Sequence, residues 1–275
     1  MGNLLKGFKE HRTFRFTSLL VILLIALVVL APVIAPYNPL EAVMKDANQA
    51  PSMAHLFGTD KLGRDVLSRI LYGGAYSLSS VLALVAIIFC VGTFLGLVAG
   101  YFGGLIDTVI MRIADMMISF PGVILAIAIA GIMGGSLVNA MIALTAVTWT
   151  KYARLSRSMV LKIRKRDFVD AAIVSGGTSS HILWTHIMPN VVPILVITAV
   201  SDIGAMMMEL AGLSFLGFGS QPPAPEWGLM LNEGRQQLQT APWLMVFPGL
   251  AIFISVVIFN LWGDALRDVL DPRDN

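Results

Sequence analysis

The sequence predicts an all-α membrane protein with six transmembrane helices, and three observations lead to that prediction. The first is composition: 56% of the 275 residues are hydrophobic and only 13% are charged, with a mean hydropathy of +0.78. Soluble domains carry about a quarter charged residues. The second is a set of long apolar stretches, and the third is the uneven placement of Lys and Arg along the chain.

The apolar stretches account for the crossings, because about 20 apolar residues span a bilayer. The stretch 116–150 is too long for one crossing and contains Gly134, Gly135 and Ser136, so we interpret it as two short crossings joined by a tight turn. Together the stretches give six helices, and they cover residues 16–36, 77–106, 116–150, 191–217 and 236–263.

Positive charge predicts the orientation, because Lys and Arg mark the cytoplasmic side of a membrane protein. The densest clusters lie in 1–16 and 151–166. With six crossings, both clusters are cytoplasmic when the N-terminus and the C-terminus lie inside. The segment 151–190 then forms the largest inner loop.

Local patterns predict how the crossings begin and pack. Thr59 or Asp60 can cap a short helix that leads into the second crossing. Gly92, Gly96 and Gly100 recur every four residues, which favours close contact between helices in lipid. The predicted parts are a basic cytoplasmic segment (1–16), the first crossing (17–36), an external segment (37–76), a core (77–265) and a cytoplasmic tail (266–275).

The stretch "DFVDAAIVSGG" follows the second basic cluster directly. Asp167 and Asp170 favour a helix start, since carboxylates complement the positive end of the helix dipole. Gly176 favours the helix stop. We therefore predict a two-turn helix, roughly parallel to the membrane, that docks into a groove of a soluble partner. The alternative is a loop helix packed on its own bundle, and the residues alone leave both interpretations open.

The same stretch carries a family resemblance. Asp170-Ala171-Ala172, then Gly176, then Met188-Pro189 resembles the signature of binding-protein-dependent ABC importer permeases, with Asp in place of the usual Glu and Met in place of the usual Leu. The stretches "HLFGTDKLGRDVLSRILYGG", "GLSFLGFGSQPPAPEWGLML" and "FNLWGDALRDVLDPR" are similar to the dipeptide, oligopeptide and nickel branch, specifically to its second, shorter permease.

The resemblance implies a type I ABC importer permease fold in the cytoplasmic membrane of a prokaryote. The implied partners are a second homologous permease, two cytosolic ATPases, an external substrate-binding protein and the lipid bilayer, with no nucleic acid. ATP and Mg²⁺ belong to the ATPases, since this chain has no phosphate-binding Gly-x-x-x-x-Gly-Lys-Ser/Thr loop. We therefore expect a non-catalytic subunit with no cofactor of its own. The implied ATPase-coupling residues are Arg164, Arg166, Asp170, Ala171, Ala172 and Gly176.

Acidic residues at membrane depth are candidates for the translocation path, because burying one costs about 2.5–3.5 kcal/mol on insertion scales. Asp202 and Glu209 lie two helical turns apart and can share one face. Structural pairing is the alternative for both. For Asp115 we favour a structural pair with Arg112.

We expect no metal site, because the histidines show no metal-ligand spacing relative to each other. Overall similarity favours nickel or another transition-metal chelate as the substrate, with di- or oligopeptides as the alternative. A secondary transporter is disfavoured, because six helices with one large basic inner loop show no internal repeat. An intramembrane enzyme is disfavoured, because no histidine lies in the middle of a predicted crossing.

Overall fold

A computed structural model describes residues 11–270, and over this range the fold is entirely helical, with one isolated bridge between Thr59 and Asp65. Parts of the predicted basic segment 1–16 and of the tail 266–275 lie outside the described residues. The α-helices are α1 (Arg12–Val29), α2 (Ala31–Ile34), α3 (Val66–Phe102), α4 (Gly104–Ile118), α5 (Gly122–Met133), α6 (Leu137–Ile163), α7 (Asp167–Val174), α8 (Ser179–Ile182), α9 (Met188–Phe215), α10 (Trp227–Gly234) and α11 (Trp243–Leu270).

The chain folds into two compact units. The first combines the chain up to Ala83 with Ala130–Ile142 and the chain from Val200 onward. The second consists of Leu84–Ile129 and Ala143–Ala199. Helix α3 therefore contributes to both units.

Four helical segments in 11–270 are long and apolar enough to cross a membrane: Arg12–Val29, Val66–Phe102, Ser179–Phe215 and Trp243–Leu270. The pair α4 and α5 is bent by 93° and can count as a fifth span. The six predicted crossings are thus matched by four or five apolar spans. Helix α6 is long enough but not apolar enough to count as a span, because its second half carries Lys or Arg at positions 151, 154, 157 and 162.

Helix α3 begins earlier than expected. The separate short helix predicted before the second crossing is instead the first part of one helix that runs unbroken from Val66 to Phe102. The cap is Asp65, not Thr59 or Asp60: its Oδ2 accepts hydrogen bonds from both the backbone N–H and the hydroxyl of Ser68, each at 2.8 Å. A carboxylate at this position satisfies N–H groups that the helix leaves unpaired.

The break predicted inside 116–150 is confirmed. Helix α5 ends at Met133 and α6 begins at Leu137, with Gly134 between them at a φ of 86°. A second break separates α4 from α5 at 119–121, where Pro121 disfavours helical backbone in the residue before it.

Close packing at the predicted glycines is confirmed in the second unit. A Cβ added to Gly92 would lie 2.5 Å from the carbonyl oxygen of Trp149, and one added to Gly96 would lie 2.3 Å from that of Ala153. The backbones of α3 and α6 therefore approach so closely that only glycine fits at these positions.

In the first unit, α1 packs on α11 near the described end of the chain. Phe14 is buried against Ala265, Leu266 and Val269, and the indole N–H of Trp262 donates to the hydroxyl of Ser18 at 3.1 Å. The apolar α1 is therefore part of the packed protein.

Candidate functional site

Helix α7 is the two-turn helix that the sequence predicts, and it lies in the second unit. It starts after Arg166, whose backbone is extended and whose side chain makes no capping hydrogen bond. Asp167 and Asp170 both lie in the first turn, where their charge complements the helix dipole. The helix ends at Val174, Ser175 is its C-cap, and Gly176 reverses the chain with a φ of 81°.

One side of α7 is anchored. Val169 is fully buried. The N–H of Gly177 donates to the carbonyl oxygen of Ala172 at 3.0 Å, and a Cβ added to Gly177 would lie 3.2 Å from Ile182 of α8. These contacts fix the position of α7 against the helix that follows it.

The other side of α7 is apolar and open. Ala171 is exposed, and the exposed fractions of Phe168 and Val174 are 45% and 88%. These three residues are spaced three apart and share the side of the helix away from Val169, whereas Ile173, four residues after Val169 and 50% exposed, lies near the anchored side. We call Phe168, Ala171 and Val174 the α7 apolar face. A two-turn helix that presents an apolar face while its other face is anchored has the form of a helix that docks in a groove.

Four exposed cationic residues precede α7: Lys162, Arg164, Lys165 and Arg166. Arg164 has a structural partner, since its Nη1 donates to the carbonyl oxygen of Tyr101 at 2.8 Å and its guanidinium lies 5.6 Å from the centre of the Tyr101 ring. It therefore ties the end of α6 to the end of α3. Arg166 forms the boundary between α6 and α7.

Two further ion pairs tie α4 to α6. Arg157 forms a two-pronged pair with Asp107, and Arg154 Nη2 lies 2.5 Å from Asp115 Oδ1. The pairing expected between Asp115 and Arg112 was therefore wrong. The partner comes from a neighbouring helix, which spacing along one helix cannot show.

The two predicted path residues lie on α9 in the first unit. Asp202 and Glu209 are both half-buried, and neither is without a partner within the fold. Their separation of seven residues places them on one side of the helix. The structure thus puts them on a different compact unit from Asp170, Ala171, Ala172 and Gly176.

Sequence reasoning missed a buried ion cluster in the first unit. Asp60 Oδ2 lies 2.6 Å from Arg64 Nε and 3.0 Å from Arg69 Nη1. Glu233 Oε2 completes the cluster, at 3.2 Å from Arg64 Nη2 and 2.8 Å from Arg69 Nη2. Both arginines are almost fully buried, and a buried charge is tolerated only when it is paired. The cluster joins the chain before α3 to α10.

Glu226 was also missed. It is buried and caps α10: its two carboxylate oxygens accept from the N–H groups of Gly228 and Leu229, both at 2.8 Å. The hydroxyl of Ser77 lies 3.4 Å from the same carboxylate and accepts from the N–H of Trp227 at 3.1 Å. Burial raises the pKa of Glu226, and the two backbone hydrogen bonds oppose that rise.

Sequence patterns could have indicated the cap but not the cluster. A Glu directly before an apolar helical run is a helix-start pattern, and Glu226 precedes "WGLML". The ion cluster depends on Glu233, which lies more than 160 residues along the chain from Arg64 and Arg69. Within 11–270, no group of three or more His, Cys, Asp or Glu side chains is arranged to hold a metal ion.

The fold has a counterpart among solved structures. A solved structure described as inward-facing conformations of the MetNI methionine ABC transporter superposes with a TM-score of 0.55 at 19% identity, covering 70% of this chain and 92% of that one. The similarity shows the fold of a type I ABC importer permease.

The family follows from sequence. Residues 92–274 match the family described as binding-protein-dependent transport system inner membrane component, and residues 2–51 match the N-terminal TM domain of oligopeptide transport permease C. The chain therefore belongs to the family of binding-protein-dependent ABC importer permeases. It is a multi-pass inner-membrane subunit, not a catalyst.

Several relatives are similar over nearly their whole length. The dipeptide transport permease DppC of Alkalihalophilus pseudofirmus is 41% identical, over 98% of this chain and 88% of that protein. The glutathione transport permease GsiD of Pectobacterium atrosepticum is 43% identical, over 93% and 85%. The nickel transport permease NikC of Escherichia coli K12 is 43% identical, over 93% of each.

The buried carboxylate of Glu226 makes stability depend on pH. Because folding raises its pKa above 4.5, the folded state holds the proton more tightly, and stability falls as pH rises through that value. Glu226→Gln cannot titrate. We therefore expect its thermal midpoint, relative to wild type, to rise as pH increases from about 4.5 to neutral. Tryptophan fluorescence of the detergent-solubilised proteins measures both midpoints, and a variant midpoint that does not rise relative to the wild-type midpoint over this pH range would contradict the assignment.

Proposed function

We propose that this chain is the second, shorter permease of an ATP-driven importer and that α7 docks into a groove on a cytosolic ATPase. The observation that supports docking most strongly is the α7 apolar face, which stays open while Val169 anchors the other side. The proposed complex contains a second homologous permease, two ATPases that bind ATP and Mg²⁺, and an external substrate-binding protein.

The proposed orientation follows from charge. The cationic residues between Lys151 and Arg166 place α7 in the cytosol by the positive-inside rule, and the same rule puts both termini inside. This position brings α7 within reach of a soluble ATPase.

Each coupling residue has a distinct proposed role. Ala171, on the exposed side, and Ala172, half-buried, allow close approach of the groove because their side chains are short. Asp170 is exposed in the first turn and can accept hydrogen bonds from the partner. Gly176, with its positive φ, turns the chain away directly after α7 and so fixes the length of the helix that docks.

The cationic residues have proposed roles on either side of the helix start. Arg166, exposed at the first residue before α7, is free to meet acidic groups at the rim of a groove. Arg164 acts through its hydrogen bond to the Tyr101 carbonyl oxygen, which links movement of α7 to movement of α3. When two ATPases close on ATP, the docked helix is displaced and the membrane helices switch between two packings.

We also propose that Asp202 and Glu209 line the translocation path. Carboxylates at membrane depth face the interior of a bundle or a water-filled route more often than lipid. Both are half-buried on one side of α9, a position that suits contact with a passing polar solute.

For the cargo we propose two classes, short peptides and nickel in chelated form. Relatives named for dipeptide, glutathione and nickel transport are 41–43% identical to this chain, so similarity favours no single class. The nickel preference drawn from sequence alone therefore stands level with the peptide alternative.

Substitution of Gly176 tests docking. A Cβ at Gly176 meets nothing within 4 Å, but the left-handed backbone costs a residue with a Cβ about 1–2 kcal/mol. Gly176→Val should therefore distort the end of α7 and lower retention of the ATPases about tenfold, the change that 1.4 kcal/mol produces. Gly176→Asn is the matched control, since Asn tolerates this backbone. Co-purification and transport are measured at equal membrane levels, and normal transport by Gly176→Val would contradict the docking role.

Neutralising the acidic pair tests the path. The double variant Asp202→Asn and Glu209→Gln keeps shape and removes charge, so we expect slower uptake with unchanged recovery of the ATPases. Met208→Leu is the control, because Met208 is exposed on the same helix and carries no charge. Uptake equal to wild type would contradict the path role and favour the alternative, in which both carboxylates only form structural pairs within the fold.

Uptake by the reconstituted complex tests function and cargo together. Proteoliposomes that contain the co-purified complex and its binding protein receive radiolabelled dipeptide, glutathione or nickel with histidine as chelator. We expect ATP-dependent accumulation of one class and none without ATP. Accumulation that persists without the ATPases, or of neither class, would overturn the proposal.

A further inference from the structure

The polypeptide between α8 and α9 forms a π-helical turn, Leu183–Ile187. A π-helix has about 4.4 residues per turn because its hydrogen bonds join residues five apart, so residues five apart come to lie nearly above one another. His181 and His186 are five apart: His181 lies two residues before this turn, and His186 lies within it. On a regular α-helix the same two side chains would point in directions about 140° apart.

The turn brings the two imidazoles together. Their ring centres are 5.7 Å apart and their planes meet at 83°. An imidazole binds an ion through a ring nitrogen and in the plane of the ring, so the bound ion lies about 3 Å from the ring centre. Metal–nitrogen bonds of about 2.0–2.1 Å fit between two rings at this separation. Two histidines whose spacing does not suit a metal on a regular α-helix are therefore neighbours at the π-turn.

Two further features prepare the pair for an ion. The Nδ1 of His181 lies 3.3 Å from the Thr185 hydroxyl, which leaves Nε2 as its ligating nitrogen. Histidine ligands usually donate their second ring N–H to such a neighbouring oxygen, which fixes the tautomer. Ile182, Leu183 and Ile187 are buried, so the backbone that carries both rings is held in place.

We infer that His181 and His186 form a binding site for one divalent late transition-metal ion. Imidazole nitrogens suit Cu²⁺, Ni²⁺ and Zn²⁺. His181 is exposed and His186 is half-buried, so an ion can enter and water can complete its coordination. The site consists of this chain's own residues and does not depend on whether the imported cargo is a peptide or a metal chelate.

Copper titration of the tag-free, detergent-purified full chain tests the site. Competition against a chelator of known affinity measures binding, and electron paramagnetic resonance of the Cu²⁺ form counts the coordinated nitrogens. We expect one saturable ion per chain with two imidazole nitrogens. A signal from a single imidazole, or no saturable binding, would overturn the inference and leave the rings as an aromatic contact only.

Variants assign the ligands. His181→Gln and His186→Gln should each weaken Cu²⁺ binding by more than about tenfold, whereas His11→Gln, outside the site, should bind as wild type does. Thr185→Val should weaken binding about tenfold, since loss of a group that orients a ligand costs 10–100-fold in affinity, and Thr185→Ser should restore it. Unchanged affinity in either ring variant would overturn the inference, and the Thr185 pair decides the question if a ring variant fails to fold.

Discussion

The absence of hydrogen-bonding partners in lipid is the constraint on which the rest of this structure depends. A backbone N–H or C=O left unpaired in the hydrocarbon costs several kcal/mol, so the apolar stretches are helical. Hydrophobic burial does not drive helices together in such a medium, and close van der Waals contact takes its place. Gly92 and Gly96 provide that contact in the second unit, because the carbonyls of α6 lie where side chains would otherwise be.

The same constraint moves polar chemistry to the helix ends, where orphan N–H groups still need partners. Asp65 and Glu226 satisfy those groups at the starts of α3 and α10. Arg64 and Arg69 share two carboxylates nearby, so the buried charges of the first unit are balanced locally. Ends that are satisfied by specific side chains hold fixed positions, and the apolar spans between them can then move as rigid elements.

Features encoded within a few residues could be predicted from sequence, and features that join distant residues could not. The bounds of α7 follow from two aspartates and a glycine, and the break at Gly134 follows from a Gly-Gly-Ser run. The Arg154–Asp115 pair and the Arg69–Glu233 pair depend on which helices become neighbours. The π-turn at Leu183–Ile187 was also not predicted. Its sequence "LWTHI" contains no Gly or Pro, the residues that indicate a local change of backbone structure.

The contrast between α7 and the segment after it shows how one loop can combine stiffness with an open surface. Val169 is the buried contact point of α7, and the α7 apolar face has no cover within the described fold, which is the condition that the proposed docking requires. The π-turn, directly before the long helix α9, is instead anchored by its buried side chains Leu183 and Ile187 and by the buried Ile182 just ahead of it. In the proposed mechanism, a displacement of α7 would reach α9 through this short, firmly packed segment. That arrangement transmits displacement better than a flexible loop would, because packed elements have discrete arrangements and do not deform continuously.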